Sequence, residues 1–433
     1  MRWVGGLLLL LVLAIAIYKI PFVNARLAWR VDNLQTRITY YFNPPNEAVF
    51  VPEEQSNFSA TLTAAAEVTT PEPTRTPAPS PTAQPTGEPL PESVRYEVDY
   101  VDQHGRWNYC GPANLTMALK YWGWEGDRDV VGRYVKPGIN NVDGKEDKNV
   151  MPYELEDFAE TQAGLQAVVR VGGNAEILKR LLAAGFPVIV EKGYYERDYT
   201  GKLGWLGHYQ FVTGYDDPGG YFIVQDTYLE TGENGTGANM QWDYTDFVNN
   251  WRSFNYLFIV VYPEAMRTQV IEALGQWNDE EWANQHALEI AQAETETLTG
   301  NDQFFAWFNV GSNHVLLQQY VDAAFAYDFA FQLYEELGGD ETSRPYRIMW
   351  YQTGPYFAYY YSGRYRDTVS LATTTLIETI EDPTLEESLY WRGLAHEALG
   401  EMDNAVADYR ETVRLNPNFA PGWAQLERLG LGG

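Results

Sequence analysis

The sequence predicts an α+β domain in the middle of the chain and an all-α region after it. Three observations predict this: a helically spaced apolar run opening at the single cysteine, five short β-rich stretches downstream of it, and a turn to purely helical patterning near residue 264. Leu115, Ala118, Leu119 and Trp122 fall at i, i+3, i+4 and i+7 after Cys110, which gives a helix with one buried face that Gly123 stops. Two more helices follow. MPYELEDFAET at 151–161 carries Pro152 in its first turn, and NAEILKRLLAAG at 174–185 has Asn174 as N-cap. The stretches QAVVRV (166–171), PVIVEK (187–192), HYQFVTGY (208–215), YFIVQDTY (221–228) and NYLFIVVY (255–262) are β-branched or aromatic and read as a mostly antiparallel sheet.

At 433 residues the chain exceeds one ordinary domain of roughly 100 to 200 residues. Lys+Arg number 30 against Asp+Glu 59, a formal net charge of -29, which repels nucleic acid and excludes it as an expected partner. One cysteine allows no internal disulfide.

Residues 1–23 read as a signal or membrane anchor. The apolar run WVGGLLLLLVLAIAIY (3–18) is short for a spanning helix of about 20 residues and long for a cleaved core. An uncleaved anchor is expected. Ala14 and Ala16 leave cleavage and secretion as the alternative, and the lack of a cysteine near residue 20 excludes lipoprotein-type attachment. After a juxtamembrane segment (24–58), the Pro/Thr-rich linker 59–93, containing TTPEPTRTPAPSPTAQPTGEPLPES, disfavours helix and sheet alike and reads as an extended stalk. Such a stalk points to an extracytoplasmic, membrane-tethered body. Lys19, Arg26, Arg30 and Arg37 after the apolar run argue for the opposite orientation, so the orientation stays open.

Cys110 opens its helix in WNYCGPANLTMALKYWG, where backbone N–H groups and the helix dipole favour thiolate over thiol. A lone cysteine also packs well as a small apolar side chain. What turns the reading towards chemistry is GHYQFVTGYDDPGGYFIVQDTY, which offers a histidine and an aspartate in a hairpin. With DDPGG (216–220) as the loop, Tyr215 faces Tyr221 and Gln210 faces Asp226, so His208 and Asp226 are diagonal neighbours on one face. The carboxylate then orients the imidazole and leaves its other nitrogen for Cys110. A sheet histidine with a structural hydrogen bond is the plainer role for His208; Asp216 and Asp217 compete with Asp226, and His104 with His208.

DQHGRWNYCGPANLTMALKYWG, AGFPVIVEKG, GHYQFVTGYDD and IVQD together resemble the C39-like domain of papain-like cysteine peptidases over about residues 95–263. The resemblance implies Cys110 as nucleophile, His208 as general base and then acid, and Asp226 as orienting carboxylate. It also implies an upstream glutamine as oxyanion donor, for which Gln103 is the candidate, one residue farther from the thiol than the commonest papain-like spacing; Asn108 is the runner-up. No cofactor is expected. NNVDGKEDKN (140–149) lacks a glycine at the sixth position of a calcium loop and carries Lys145 and Lys148, so it reads as a solvated loop, and no HExxH or paired CxxC supports a metal.

Residues 264–433 resemble a tetratricopeptide-repeat solenoid: Gly393, Gly400, Ala405, Tyr409 and Pro417 mark one copy, Gly311, Ala323, Tyr327 and Ala330 another, and Gly363, Tyr365 and Ala372 a diverged third. APGWAQLERLG would cap the array, and His286, His314 and His396 are too dispersed for a metal site. The expected function is a membrane-tethered cysteine peptidase that cleaves peptide or protein substrates, with the repeats binding substrate or a protein partner. The absence of transporter and ATPase segments sets it apart from leader-trimming exporters. A noncatalytic protein-binding module and a thiol-dependent acyl transferase are the alternatives.

Overall fold

The computed structural model describes residues 50, 52, 89–106, 108–137, 148–197, 203–337, 344–345, 347–378 and 385–432. The expected anchor, nearly all of the juxtamembrane segment and linker, and most of the 140–149 loop lie outside these residues. Among the described residues no helix is long and apolar enough to cross a membrane.

Seven strands form one antiparallel sheet: β1 Ser93–Arg95, β2 Gln166–Arg170, β3 Val188–Arg197, β4 Leu203–Asp216, β5 Tyr221–Asp226, β6 Met240–Asp243 and β7 Phe258–Tyr262. The order is β2-β7-β3-β4-β5-β6, and β1 pairs with the end of β4. The last residues of the expected linker belong to this sheet domain: Pro91 O accepts from the Tyr215 hydroxyl at 2.7 Å and Glu92 O accepts from Asp217 N at 2.9 Å.

Side chains alternate across the strands, and both sets are buried. Ile189, Phe211, Ile259 and Val261 pack with α1 Cys110–Tyr121, α2 Arg128–Val135 and α3 Pro152–Thr161. Val188, Val190, Val212, Phe258 and Val260 pack with α4 Ala175–Ala183, α5 Tyr244–Trp251 and α6 Arg267–Leu274. With both faces apolar, polarity cannot fix the register, because a one-residue slip exchanges one apolar set for the other. Buried polar pairs fix it instead. Gln225 Nε2 donates to Thr213 Oγ1 at 2.8 Å, and Gln210 Nε2 donates to Asp226 Oδ2.

Three expectations change. Cys110 through Leu119 are all buried, so α1 is an internal helix with no solvent face over that length, held between the sheet and its neighbouring helices. The β4–β5 turn is tighter than the expected DDPGG loop: Asp216 pairs with Tyr221, and a bulge between Val212 and Gly214 then restores the pairing of Gln210 with Asp226. Gly214 permits this because a Cβ there would lie 2.3 Å from Val94 O of β1. Finally, the sheet's core runs past residue 263, since Val270, Ala273 and Leu274 of α6, then Trp277 and Ala283, join the same cluster as Val188 and Phe222.

Beyond α6 the chain is helical: α7 Glu280–Thr297, α8 Asn301–Leu316, α9 Tyr320–Glu336, α10 Ile348–Tyr351, α11 Gly354–Tyr361, α12 Tyr365–Thr373, α13 Glu386–Ala398, α14 Met402–Leu415 and α15 Ala420–Arg428. The pairs α8–α9, α11–α12 and α13–α14 turn on left-handed residues at matching places, Gln318 (φ 58°), Gly363 (φ 81°) and Gly400 (φ 80°). Each turn closes with the same two bonds, for example Gly400 N to Glu397 O at 2.9 Å and Glu401 N to His396 O at 2.8 Å. In the outer two pairs a glycine meets a tyrosine: a Cβ on Gly311 or Gly393 would lie 2.7 Å from the ring of Tyr327 or Tyr409. In the middle pair Tyr356 stands at the glycine's offset and Ala372 at the tyrosine's, so the sizes are exchanged.

Candidate active site

Cys110 is the first residue of α1, and Pro112 in the first turn has no N–H, so the cysteine's own N–H and that of Gly111 lead the helix. Asn114, one turn on and fully buried, fixes the helix against the sheet. Its Nδ2 donates to Cys110 O at 2.9 Å and to Tyr209 O at 2.8 Å, tying the thiol's residue to the neighbour of His208.

His208 on β4 is 5% exposed, and its Nε2 lies 3.0 Å from Asp226 Oδ1. The Cys110 side chain lies against the same ring, near enough for each group to shift the other's acidity. Tyr194 meets the imidazole edge to face, with centroids 5.9 Å apart. Asp226, fully buried, ends β5 and accepts four bonds: from His208, from Gln210 Nε2, from Tyr228 N at 2.8 Å and from Leu229 N at 2.9 Å. With so many donors the carboxylate is firmly placed, and so is the ring it holds.

Burial penalises all three charged forms, and the contacts reverse the penalty. The thiol is held below its ordinary value because the His208 hydrogen bond and charge, with N–H groups of Tyr209 and Gly111, outweigh desolvation. His208 is raised to about 10 against its own desolvation by the Asp226 charge and hydrogen bond and by Cys110. Asp226 is held well below the usual carboxylate range by His208, Leu229 N and Gln210, again against desolvation. Both shifts favour the thiolate–imidazolium form of the pair.

Gln103 is anchored on the residue after Asp226: its N donates to Thr227 O at 2.8 Å, and Thr227 Oγ1 donates to its Oε1 at 2.8 Å. With Oε1 engaged, the amide's orientation is set and Nε2 is turned away from Thr227 as a donor. Asn108, the runner-up, has left-handed φ 43° and accepts from Lys136 Nζ at 3.3 Å through its carbonyl; its place is in the turn that starts α1. His104 packs against Tyr228 at 6.2 Å and lies 3.7 Å from Glu230, in the loop rather than against the thiol. Asp216 caps the β4–β5 turn by accepting from Gly219 N at 2.7 Å, and Asp217 pairs with Lys179.

Two buried groups beside the site are illegible in linear sequence. Glu191 on β3 is raised well above its ordinary value, by burial first and then by the Cys110 charge. Lys192, opposite His208 in the β3–β4 register, is fully buried over the Trp242 ring at 3.2 Å and is lowered to about 7 by burial. Alternating apolar patterns hide both, since each interrupts a strand that otherwise reads as core. Among the described residues no three His, Cys, Asp or Glu side chains are arranged to hold a metal.

Residues 95–259 match the model of the Peptidase_C39 like family. A crystal structure from Bacillus anthracis named for the C39-like peptidases is similar at 16% identity and a TM-score of 0.31, over 40% of this chain and 98% of that one. No curated protein matches the chain. The family match points to a cysteine peptidase, and it spans the helix, strands and loops that carry Gln103, Cys110, His208 and Asp226 while leaving out the helical region.

Proposed function

We propose that the protein is a cysteine peptidase that hydrolyses peptide bonds through Cys110, His208 and Asp226. The observation that carries the reading is the buried thiol set beside an imidazole that a four-donor carboxylate holds in place. Cys110 thiolate attacks the scissile carbonyl, and the new oxyanion is met by Gln103 Nε2 and the Cys110 N–H. His208 imidazolium protonates the departing amine, which leaves an acyl-enzyme on sulfur. Water then attacks, giving its proton to His208, and the acid product leaves with the thiolate restored. Asp226 keeps the imidazole in place and stabilises its charge without taking the proton.

Three further parts belong to the same proposal. The apolar N-terminus and the proline-rich stalk tether the enzyme to a membrane and hold it on the extracytoplasmic side. The helical hairpins are tetratricopeptide repeats that bind substrate or a protein partner, a reading supported by the shared left-handed turns and the glycine–tyrosine contacts of the outer pairs. Asp226, rather than Asp216 or Asp217, is the third member of the triad.

A peptide-library digest with the full chain tests this. The unaltered protein is expected to cleave at a defined subset of sites and Cys110→Ala at none of them. Identical products from both chains would remove the proposal.

A further inference from the structure

A cavity of about 570 Å³ lies between the sheet domain and the helical hairpins. Its walls are aromatic, with Tyr134 and Tyr153 from one side and Phe357, Tyr390, Trp391 and Phe419 from the other. The second group forms a continuous surface: ring centroids are 4.3 Å apart for Phe357 and Trp391, 5.5 Å for Tyr390 and Trp391, and 5.4 Å for Tyr390 and Phe419. Carboxylates of Glu154, Asp157 and Glu387 also line it.

The charges at its base do not balance. Lys148, 1% exposed, pairs with Glu154 and, at 2.8 Å, with Glu386. Glu387 accepts from the Tyr153 hydroxyl at 2.6 Å and from Thr353. Among the described residues three buried carboxyl groups thus face one ammonium, and the N-terminus of α13, where Glu386 and Glu387 sit, adds the equivalent of only about half a positive charge. Glu386, beneath the lining, has Oε1 engaged by Lys148 and by Asn416 Nδ2 at 2.7 Å, whereas its Oε2 is buried with no hydrogen-bond partner among the described residues. Burial raises Glu154 to about 7 and lifts Glu387 above its ordinary value, so a cation brought beside them would favour their charged forms. An aromatic wall over such a deficit is an environment in which a cation gains from both features.

We propose that this cavity binds the cationic side chain of a lysine or arginine carried by a peptide or protein ligand. The ring faces of Trp391 and Phe357 receive the ammonium or guanidinium, and Glu387, whose two oxygens retain acceptor capacity, pairs with it. The volume exceeds one side chain, so the flanking residues of the ligand enter with it. The segment carrying Lys148 continues to Val150, which packs against Gly111 beside the thiol and accepts from the Tyr209 hydroxyl at 3.0 Å. The site is thus adjoined to the catalytic helix yet uses none of its reacting groups, and binding there needs no reaction at Cys110.

Calorimetric titration of the full chain carrying Cys110→Ala tests this, because binding is then read without turnover. The probe is acetyl-Gly-Arg-Gly-amide, compared with the same peptide containing citrulline in place of arginine. The arginine peptide is expected to bind at least about 10-fold more tightly. Glu387→Gln and, separately, Phe357→Leu are each expected to weaken it about 10-fold with circular dichroism unchanged. Equal affinity for the two peptides, no arginine-peptide binding up to about 5 mM, or tighter binding of a neutral oligosaccharide would overturn the proposal.

Discussion

Two buried clusters of charge, one around His208 and one around Lys148, differ in how their carboxylates are matched. Along the line Cys110, His208 and Asp226 each group has a counterpart, and Asp226 collects donors from two backbone groups and Gln210, while Lys192 Nζ beside them is buried over Trp242 with no hydrogen-bond partner among the described residues. Around Lys148, one ammonium serves Glu154 and Glu386 while Glu387 has only hydroxyl donors. A satisfied network holds a geometry still, as acid–base chemistry requires. An unsatisfied one retains capacity for something from outside.

The largest test of this contrast is His208→Ala, which removes the proposed base from the first cluster. Peptide cleavage is expected to fall about 10,000-fold, measured as kcat/KM, with the fold retained by circular dichroism. Lys148→Met comes next. It leaves two buried carboxylates without their cation and is expected to cost about 3–5 kcal/mol in denaturant unfolding; a loss under about 1 kcal/mol would show that solvent already screens the cluster. Gln103→Ala removes one of the two proposed oxyanion donors, and kcat is expected to drop about 100- to 1,000-fold with KM little changed. The smallest effect is expected from Glu154→Gln, which removes surplus negative charge as well as half of an ion pair. These oppose each other, so stability should change by no more than about 1 kcal/mol.

Acidity separates the clusters too. His208 is raised from an ordinary 6.5 to about 10, so its contribution to stability is complete below pH 6.5 and is lost as pH rises through about 10. Glu154 is raised from 4.5 to about 7 by burial, so its ionisation opposes folding. Its stabilising share, present below pH 4.5, fades as pH rises through about 7. Unfolding midpoints of Glu154→Gln and the unaltered chain should therefore converge below pH 4.5, separate as pH rises from 4.5 to about 7 in favour of the variant, and stay apart above it.

How much of this the sequence reveals depends on the distance between partners. Helices with a capping residue or a helix-starting proline are legible, as with Asn174, whose side chain accepts from Ile177 N, and Pro152. The hairpin is a subtler case. A loop read one residue too long and a bulge read as regular strand compensate one another, and the pairing of Gln210 with Asp226 emerges from both the sequence and the coordinates. The bulge itself depends on β1 approaching Gly214, a contact between segments more than a hundred residues apart. Short elements such as α2, α5 and β6 carry too few apolar residues in period to stand out. Asn114 reads as an ordinary helix residue until Tyr209 O is beside it. Lys148 and Glu386 are separated by 238 positions, and Lys148 looks like a solvated loop residue although it is 1% exposed. Long-range ion pairs leave no periodicity behind.

The central claim is that Cys110 is a thiolate because His208 makes it one. The direct measurement is the rate of Cys110 alkylation by iodoacetamide between pH 5 and 9, followed by mass spectrometry in the unaltered chain and in His208→Ala. The account predicts substantial labelling that persists below pH 7 in the unaltered chain, and in His208→Ala a loss of that labelling with recovery only as pH approaches the ordinary thiol range near 8.5. Superimposable pH profiles for the two chains would contradict it.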